Sequence, residues 1–239
     1  MKIEVHSDDE TVAREGAAII AADARAAVSL RGRFIMAVSG GRTPWLMLRA
    51  LADEQLPWEN VLVFQVDERV APEGDPDRNL THLRESLLAR APQLPDRIYA
   101  MPVEAADLNR AAQQYAATLE NVAGSPSVLD LVHLGLGPDG HTASLVPGDP
   151  VLDITNADVA VTRPYQGRRR MTLTFPIINR ARRVLWLVTG REKVEALVRL
   201  RDSDPSIPAS RVRQDRALIL ADPPAAERLG TSEDLETEK

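Results

Sequence analysis

The chain has 239 residues, 44% hydrophobic and 27% charged, with a mean hydropathy of −0.21. At roughly 150 residues per domain this is one large domain or two small ones, and the balance excludes a mainly disordered or collagen-like chain. Cysteine is absent, which excludes disulfides, thiol nucleophiles, iron–sulfur clusters and Cys-rich zinc sites. Net charge is −6, but residues 222–239 hold six acids against only Arg228 and Lys239, so the body is close to neutral and offers no basic field for nucleic acid. His6, His82, His133 and His141 form no pair at metal-ligand spacing, so no metal site is expected.

Apolar runs such as 129–136 and 184–188 fall short of the ~20 residues of a membrane helix. The N-terminus is charged and lacks an apolar run of signal-peptide type, and a cytoplasmic location is expected. In chain order, buried strands are expected at 34–38, 61–66, 98–101, 129–136, 159–162, 184–189 and 217–220, with helices at 11–30, 44–52, 79–90, 107–122 and 191–200. This alternation predicts an α/β fold with helices layered on a mainly parallel sheet. No Pro/Gly/Ser linker or internal repeat divides the chain, so residues 1–230 read as a single domain and 231–239 as a flexible acidic tail.

Ligands of open α/β sheets bind at the carboxyl ends of strands, and four segments fall there. The run 34–38 ends in Ser39-Gly40-Gly41-Arg42-Thr43-Pro44, with Thr43 expected as the N-cap of the next helix. Paired glycines and the free N–H groups of a helix start favour a phosphate, although the Walker lysine pattern is absent. Asp67-Glu68-Arg69 follows the second strand; Asp67 can orient a base or a water, and Arg69 can fork onto a phosphate.

Gly135, Gly137 and Gly140 satisfy Gly-x-Gly-x-x-Gly, with Asp158 near the position of a ribose-binding acid. Pro147 and Gly148 leave no room for the long helix a dinucleotide site needs, so that reading fails. What remains is a turn carrying Asp139 and His141, the latter a candidate base, whereas His133 lies inside the apolar run and reads as a core histidine. His82 reads as a surface or packing residue. Last come Arg168-Arg169-Arg170, of which at least two are expected in solvent, and Thr189-Gly190 with Lys193 one turn into a helix.

Taken in order, Ser-Gly-Gly-x-Thr-Pro, Asp-Glu-Arg with Asn79, Gly-Leu-Gly-Pro-Asp-Gly-His-Thr-Ala-Ser-Leu, Arg-Met-Thr-Leu-Thr with Asn179, and Thr-Gly-x-x-Lys resemble the bacterial 6-phosphogluconolactonases over nearly the whole chain. The resemblance implies a three-layer sugar-phosphate isomerase/deaminase-like fold. It also implies a hydrolase opening 6-phospho-D-glucono-1,5-lactone in the oxidative pentose phosphate pathway, without a cofactor. His141, Asp67 and Asp139 are then the catalytic candidates, with Gly40, Gly41, Arg42, Thr43, Arg69, Arg170 and Lys193 holding substrate and phosphate. Arg42 stands where that family commonly carries a small hydroxyl residue. The expected partner is a sugar-phosphate lactone, with neither nucleic acid nor membrane, and the chain is expected as a monomer or weak homodimer. Two alternatives share the fold. A glucosamine-6-phosphate deaminase resembles Phe-Asn-Glu-Pro shortly after the His motif, where this chain has Ala143-Ser144-Leu145-Val146-Pro147. A non-enzymatic sugar-phosphate-sensing domain needs a DNA-binding segment.

Overall fold

Strand β2 (Phe34–Val38) is buried at every position, as expected of an inner strand covered on both faces. Phe34, Met36 and Val38 point into one core while Ile35 and Ala37 point into another, the period-2 alternation of a pleated strand. The computed structural model describes residues 1–91 and 97–229, so the expected acidic tail at 231–239 lies outside the described residues.

Seven strands form one sheet in the order β1 (Lys2–Val5), β10 (Ala217–Ala221), β9 (Arg183–Val188), β6 (Leu131–Gly135), β2, β3 (Val61–Gln65) and β5 (Ile98–Tyr99), every pairing parallel. Helices α1 (Asp9–Arg31), α2 (Arg42–Ala52) and α3 (Asn79–Leu83) cover one face; α4 (Leu108–Ala123), α5 (Phe175–Arg180) and α6 (Val194–Arg201) cover the other. This is the three-layer α/β arrangement expected from the alternation. Helix α1 shows why its sequence is helical: the Asp8 carboxylate accepts from Thr11 N–H at 2.7 Å, Val12, Gly16, Ile20, Ala24 and Ala27 lie on its buried face, and Gly32 at φ 74° closes its end. Among the described residues no helix is long and apolar enough to cross a membrane.

Several expectations need correction. Strand β1 was not foreseen, because Lys2 and Glu4 give an edge strand a polar pattern. Asp67–Arg69 is itself a strand, β4, paired antiparallel with β8 (Arg170–Leu173), which in turn pairs with β7 (Val159–Val161) in a separate three-stranded sheet. The expected helix at 79–90 is α3 followed by a wider turn, Arg84–Leu88, with Ala89 N–H bonded back to Arg84 O at 2.9 Å. The helix expected from 191 opens as a 3₁₀ turn, Arg191–Lys193, so Lys193 caps α6 instead of lying one turn inside it. Gly41, not Thr43, is the N-cap of α2, and no side chain caps that helix. A short helix, α7 (Pro223–Ala226), follows β10.

His133 is a core residue of β6 with no exposed surface. Ser39 N–H donates to its Nδ1 at 3.3 Å and Ser39 Oγ donates to its carbonyl at 3.0 Å, while its Nε2 is buried without a partner among the described residues. Burial pushes the imidazole down to about 3. An unfolded histidine takes its proton near pH 6.5, so between there and about 3 the unfolded chain binds the extra proton and stability falls as pH falls. We expect His133→Asn to be less stable than wild type at pH 7.5, since an amide cannot reproduce this buried contact. Urea unfolding at pH 7.5 and 5.5 should show that deficit shrinking by about 1 kcal/mol at the lower pH. An unchanged difference would mean that His133 is not buried neutral.

Candidate active site

The carboxyl ends of β9, β6, β2 and β3 lie side by side, so the turns that follow them converge. After β2 the chain turns at Ser39-Gly40-Gly41 into α2. The N–H groups of Gly40, Gly41, Arg42 and Thr43 have no hydrogen-bond partner among the described residues, as at any uncapped helix start. A Cβ on Gly40 would fall 2.0 Å from Asn79 Oδ1, so only glycine lets this backbone pass so close to α3. The Arg42 side chain is 78% exposed, lies 3.8 Å from Asp9 and does not line the cavity, leaving only its backbone available to a ligand there. Thr43 shares a 2.6 Å hydroxyl–hydroxyl bond with Thr189, tying the turn after β2 to the turn after β9.

Beyond β3, Asp67 is buried and both its oxygens are engaged: Oδ2 accepts from Ser144 Oγ at 2.6 Å and Oδ1 from Asn79 Nδ2 at 3.3 Å. Glu68, fully buried, accepts from Gln65 Nε2 (2.9 Å) and from the N–H groups of Arg69 (2.8 Å), Asn79 (2.7 Å) and Leu80 (2.8 Å). Its carboxylate is thus the cap of α3 that Arg78, the residue at the N-cap position, does not provide. Arg69 Nη1 donates to Asp77 O (2.8 Å) and Asn79 Oδ1 (3.1 Å).

The turn after β6 is closed by Gly137 N–H to His141 O (2.8 Å) and Gly140 N–H to Gly137 O (2.9 Å). Gly140 sits at φ 81° against Ile207, where any side chain is excluded. The His141 ring rests on Gly137, and its Nδ1 meets Asp139 Oδ1 at 2.5 Å. Tyr165 donates to Asp139 Oδ2 at 3.1 Å. Burial opposes ionisation of Asp139, but the His141 contacts and the Tyr165 hydroxyl outweigh it and hold the carboxyl below its usual range. With Nδ1 occupied by a carboxylate, Nε2 is the ring nitrogen left to accept a proton.

Arg69, Arg170 and Lys193 line the same cavity, of about 260 Å³, with Asp67, Asn79 and His141. Arg170, the buried member of the arginine triplet, lies 4.9 Å from the centroid of the Tyr165 ring and donates to Gln166 Oε1 at 3.1 Å. Among the described residues the Nε atoms of Arg69 and Arg170 are buried without partners, and burial lowers the proton affinity of both Arg170 and Lys193. Three cations held partly out of water around free backbone N–H groups make a site for a dianion.

A larger cavity, about 330 Å³, opens at the opposite ends of β2 and β6 among Arg31, Arg33, Asp130 and Arg182. There Asp130 binds Arg31 (2.7 Å), Arg182 (3.3 Å) and Ile35 N–H (2.9 Å), an anchoring role that leaves no base or nucleophile. Asp158 is held by Arg180 through two 2.6 Å bonds, which removes it as a ribose ligand, and His82 stacks on Trp45 at 5.3 Å outside the cavity. No group of three His, Cys, Asp or Glu able to hold a metal occurs among the described residues.

A family model described as glucosamine-6-phosphate isomerases/6-phosphogluconolactonase matches residues 7–220. The chain belongs to this family. A 6-phosphogluconolactonase of Synechocystis sp. is 39% identical over 211 residues, 85% of this chain and 88% of that protein. The solved 6-phosphogluconolactonase of Trypanosoma brucei is 28% identical, covers 96% of this chain and 98% of its own, and superposes with a TM-score of 0.83. A monomeric glucosamine-6-phosphate deaminase reaches the same TM-score, 0.83, at 20% identity, a likeness of fold alone.

Within this family frame, three residues that sequence reasoning passed over shape the cavity: Ser144 on Asp67, Tyr165 on Asp139, and Glu68 beneath Asn79. Ser144 and Glu68 carried a signal, their places in the Thr-Ala-Ser-Leu and Asp-Glu-Arg runs; Tyr165 carried none. The close seating of His141 on Gly137 is testable. A Cβ at Gly137 would lie 2.1 Å from His141 Nδ1, whereas one at Gly135 meets nothing within 4 Å. In proton NMR spectra at low temperature, the downfield Nδ1 proton expected of a short His–Asp bond should disappear in Gly137→Ala and persist in Gly135→Ala. Persistence in both would contradict this packing.

Proposed function

We propose that the chain hydrolyses 6-phospho-D-glucono-1,5-lactone to 6-phospho-D-gluconate in the oxidative pentose phosphate pathway, and that it does so in the cytoplasm. The observation that carries this reading is the meeting, in one cavity at the carboxyl edge, of a carboxylate-held imidazole with three cations and the free N–H groups of a helix start.

The cationic end holds the phosphate: Arg69, Arg170 and Lys193 supply charge, and the backbone of Gly40, Gly41, Arg42 and Thr43 supplies N–H donors. Anchoring the phosphate aligns the lactone carbonyl with the base. His141 Nε2 takes a proton from water, and the hydroxide equivalent adds to C1. Asp139 stabilises the resulting imidazolium and keeps its proton on the outward nitrogen. When the tetrahedral intermediate collapses, the bond from C1 to the ring oxygen breaks and the imidazolium returns its proton to that oxygen. Asp67, with both oxygens already engaged by the buried Ser144 hydroxyl and by Asn79, positions Asn79 in the cavity wall and does not take the proton itself.

The deaminase reading is less well supported. Residues 142–147 form a tight turn with Thr142 bridged to Leu145, and none of them is a carboxylic acid. Purified protein should hydrolyse the phosphorylated lactone above its spontaneous rate and release no ammonia from glucosamine 6-phosphate. Ammonia release at a comparable rate would overturn the assignment.

His141→Asn should lose at least about a hundredfold in kcat with little change in melting temperature, since a positioned base contributes roughly 10² to 10⁴ in rate. Near-normal kcat would place the base elsewhere. For Arg69→Ala and Lys193→Ala, we expect kcat/KM on the phosphorylated lactone to fall about 30-fold, the equivalent of about 2 kcal/mol for a partly desolvated charged contact. Unphosphorylated gluconolactone should scarcely be affected. Equal losses on both substrates would argue against phosphate contact.

A further inference from the structure

Tyr165 stands where the basic end of the cavity meets its cationic end. Its hydroxyl donates to Asp139 Oδ2, whose other oxygen holds His141, and the His141 ring meets the Tyr165 ring edge-on with centroids 5.5 Å apart. The Arg170 guanidinium lies against the same tyrosine ring, and the next residue, Gln166, accepts from Arg170 Nη2. Tyr165 and Arg168 close a two-residue turn by reciprocal backbone bonds of 2.9 and 3.3 Å. Gln166 (φ 51°) and Gly167 (φ 80°) both take the left-handed conformation that a tight hairpin requires. Arg168 anchors this hairpin to Asp75 (3.1 Å) and Asp77 (2.9 Å), beside the Asp77 carbonyl that binds Arg69.

Arg170 is under-satisfied in this arrangement. A guanidinium has five N–H groups, yet its one hydrogen-bond acceptor among the described side chains is Gln166, and its Nε is buried with none. A phosphate dianion supplies acceptors to such a group. A guanidinium fixed by a dianion restrains the ring packed against it, and a restrained ring keeps its hydroxyl on Asp139. We propose that Tyr165 is a positioning residue through which the bound phosphate acts on the base. In this chain of contacts Arg170 fixes Tyr165, Tyr165 fixes Asp139, and Asp139 fixes the tautomer and orientation of His141. The inference rests on the lactonase reading and adds to it that the phosphate raises kcat as well as lowering KM, because remote binding is expressed at the reacting centre.

The test divides the substrate in two. Wild-type enzyme is given unphosphorylated glucono-1,5-lactone with increasing phosphite dianion, and turnover is measured above the spontaneous rate. We expect activation of at least tenfold at saturating phosphite. Tyr165→Phe keeps the ring against Arg170 and removes only the hydroxyl. It should bind phosphite as wild type does, judged by competitive inhibition of phospholactone hydrolysis within twofold, but show less than twofold activation. Unchanged inhibition also establishes that the variant's site is folded. Wild-type activation in Tyr165→Phe, or no activation in a wild-type enzyme that does hydrolyse the phospholactone, would overturn the coupling. Failure of wild type on the phospholactone itself would instead overturn the lactonase reading, and this inference with it.

Discussion

The parallel hydrogen-bonded register of the central sheet is the constraint on which the rest depends. Because β9, β6, β2 and β3 are neighbours running in the same direction, their last residues end on one edge, and each chain must turn there before its next helix. Four separate stretches of sequence therefore deliver their polar residues to a single place. The apolar interiors of the strands, packed on both faces, make that edge stiff: Met36, Val38, Val132, Leu134 and Leu187 are all nearly or fully buried. Chemistry at such an edge inherits its precision from hydrophobic packing beneath it, not from the loops alone.

On this frame the cavity divides into two electrostatic halves. One is built from the turns after β2 and β9, joined through Thr43 and Thr189, and from arginines on the small antiparallel sheet. The other is the Gly137–His141 turn with its Asp139–His141 pair. The antiparallel sheet links them, since β8 carries Arg170 and the hairpin just before it carries Tyr165. Glycine is required at specific points by close approach: Gly40 where the backbone passes Asn79, and Gly137 where His141 lies over it.

Much of this was legible in the sequence because the long inner strands leave an unmistakable record. Runs such as 34–38 and 184–188 are continuous and apolar, each with a Gly two positions beyond its end, which marks both a buried strand and its functional end. His133 and His141 separated cleanly by their neighbours, the one among aliphatics and the other after a Gly-Pro-Asp-Gly turn. What stayed hidden has a common physical cause. β4 is three charged residues and β8 sets Arg170 and Thr172 among Met171 and Leu173, so neither periodicity nor propensity marks them as strands. The side chain of Arg42 reads as part of an anion loop in one dimension, and only the direction of α2 shows it turned toward Asp9. Tyr165 acts through a contact with Asp139 across a long separation in sequence, and no local spacing encodes that.

Glu68 gives one wall of the cavity its mechanical character. Its carboxylate has no solvent exposure, takes four N–H donors and lies 3.6 Å from the buried Arg78 guanidinium. Separating the start of α3 from β4 would break the Asn79 and Leu80 bonds together and leave the buried Glu68 carboxylate short of donors, a cost of several kcal/mol. The junction of β4 with α3 is thereby fastened to the strand that carries Asp67 and Arg69. The 165–168 hairpin shares that footing, because Arg168 ties it to Asp75 and Asp77 in the segment between β4 and α3.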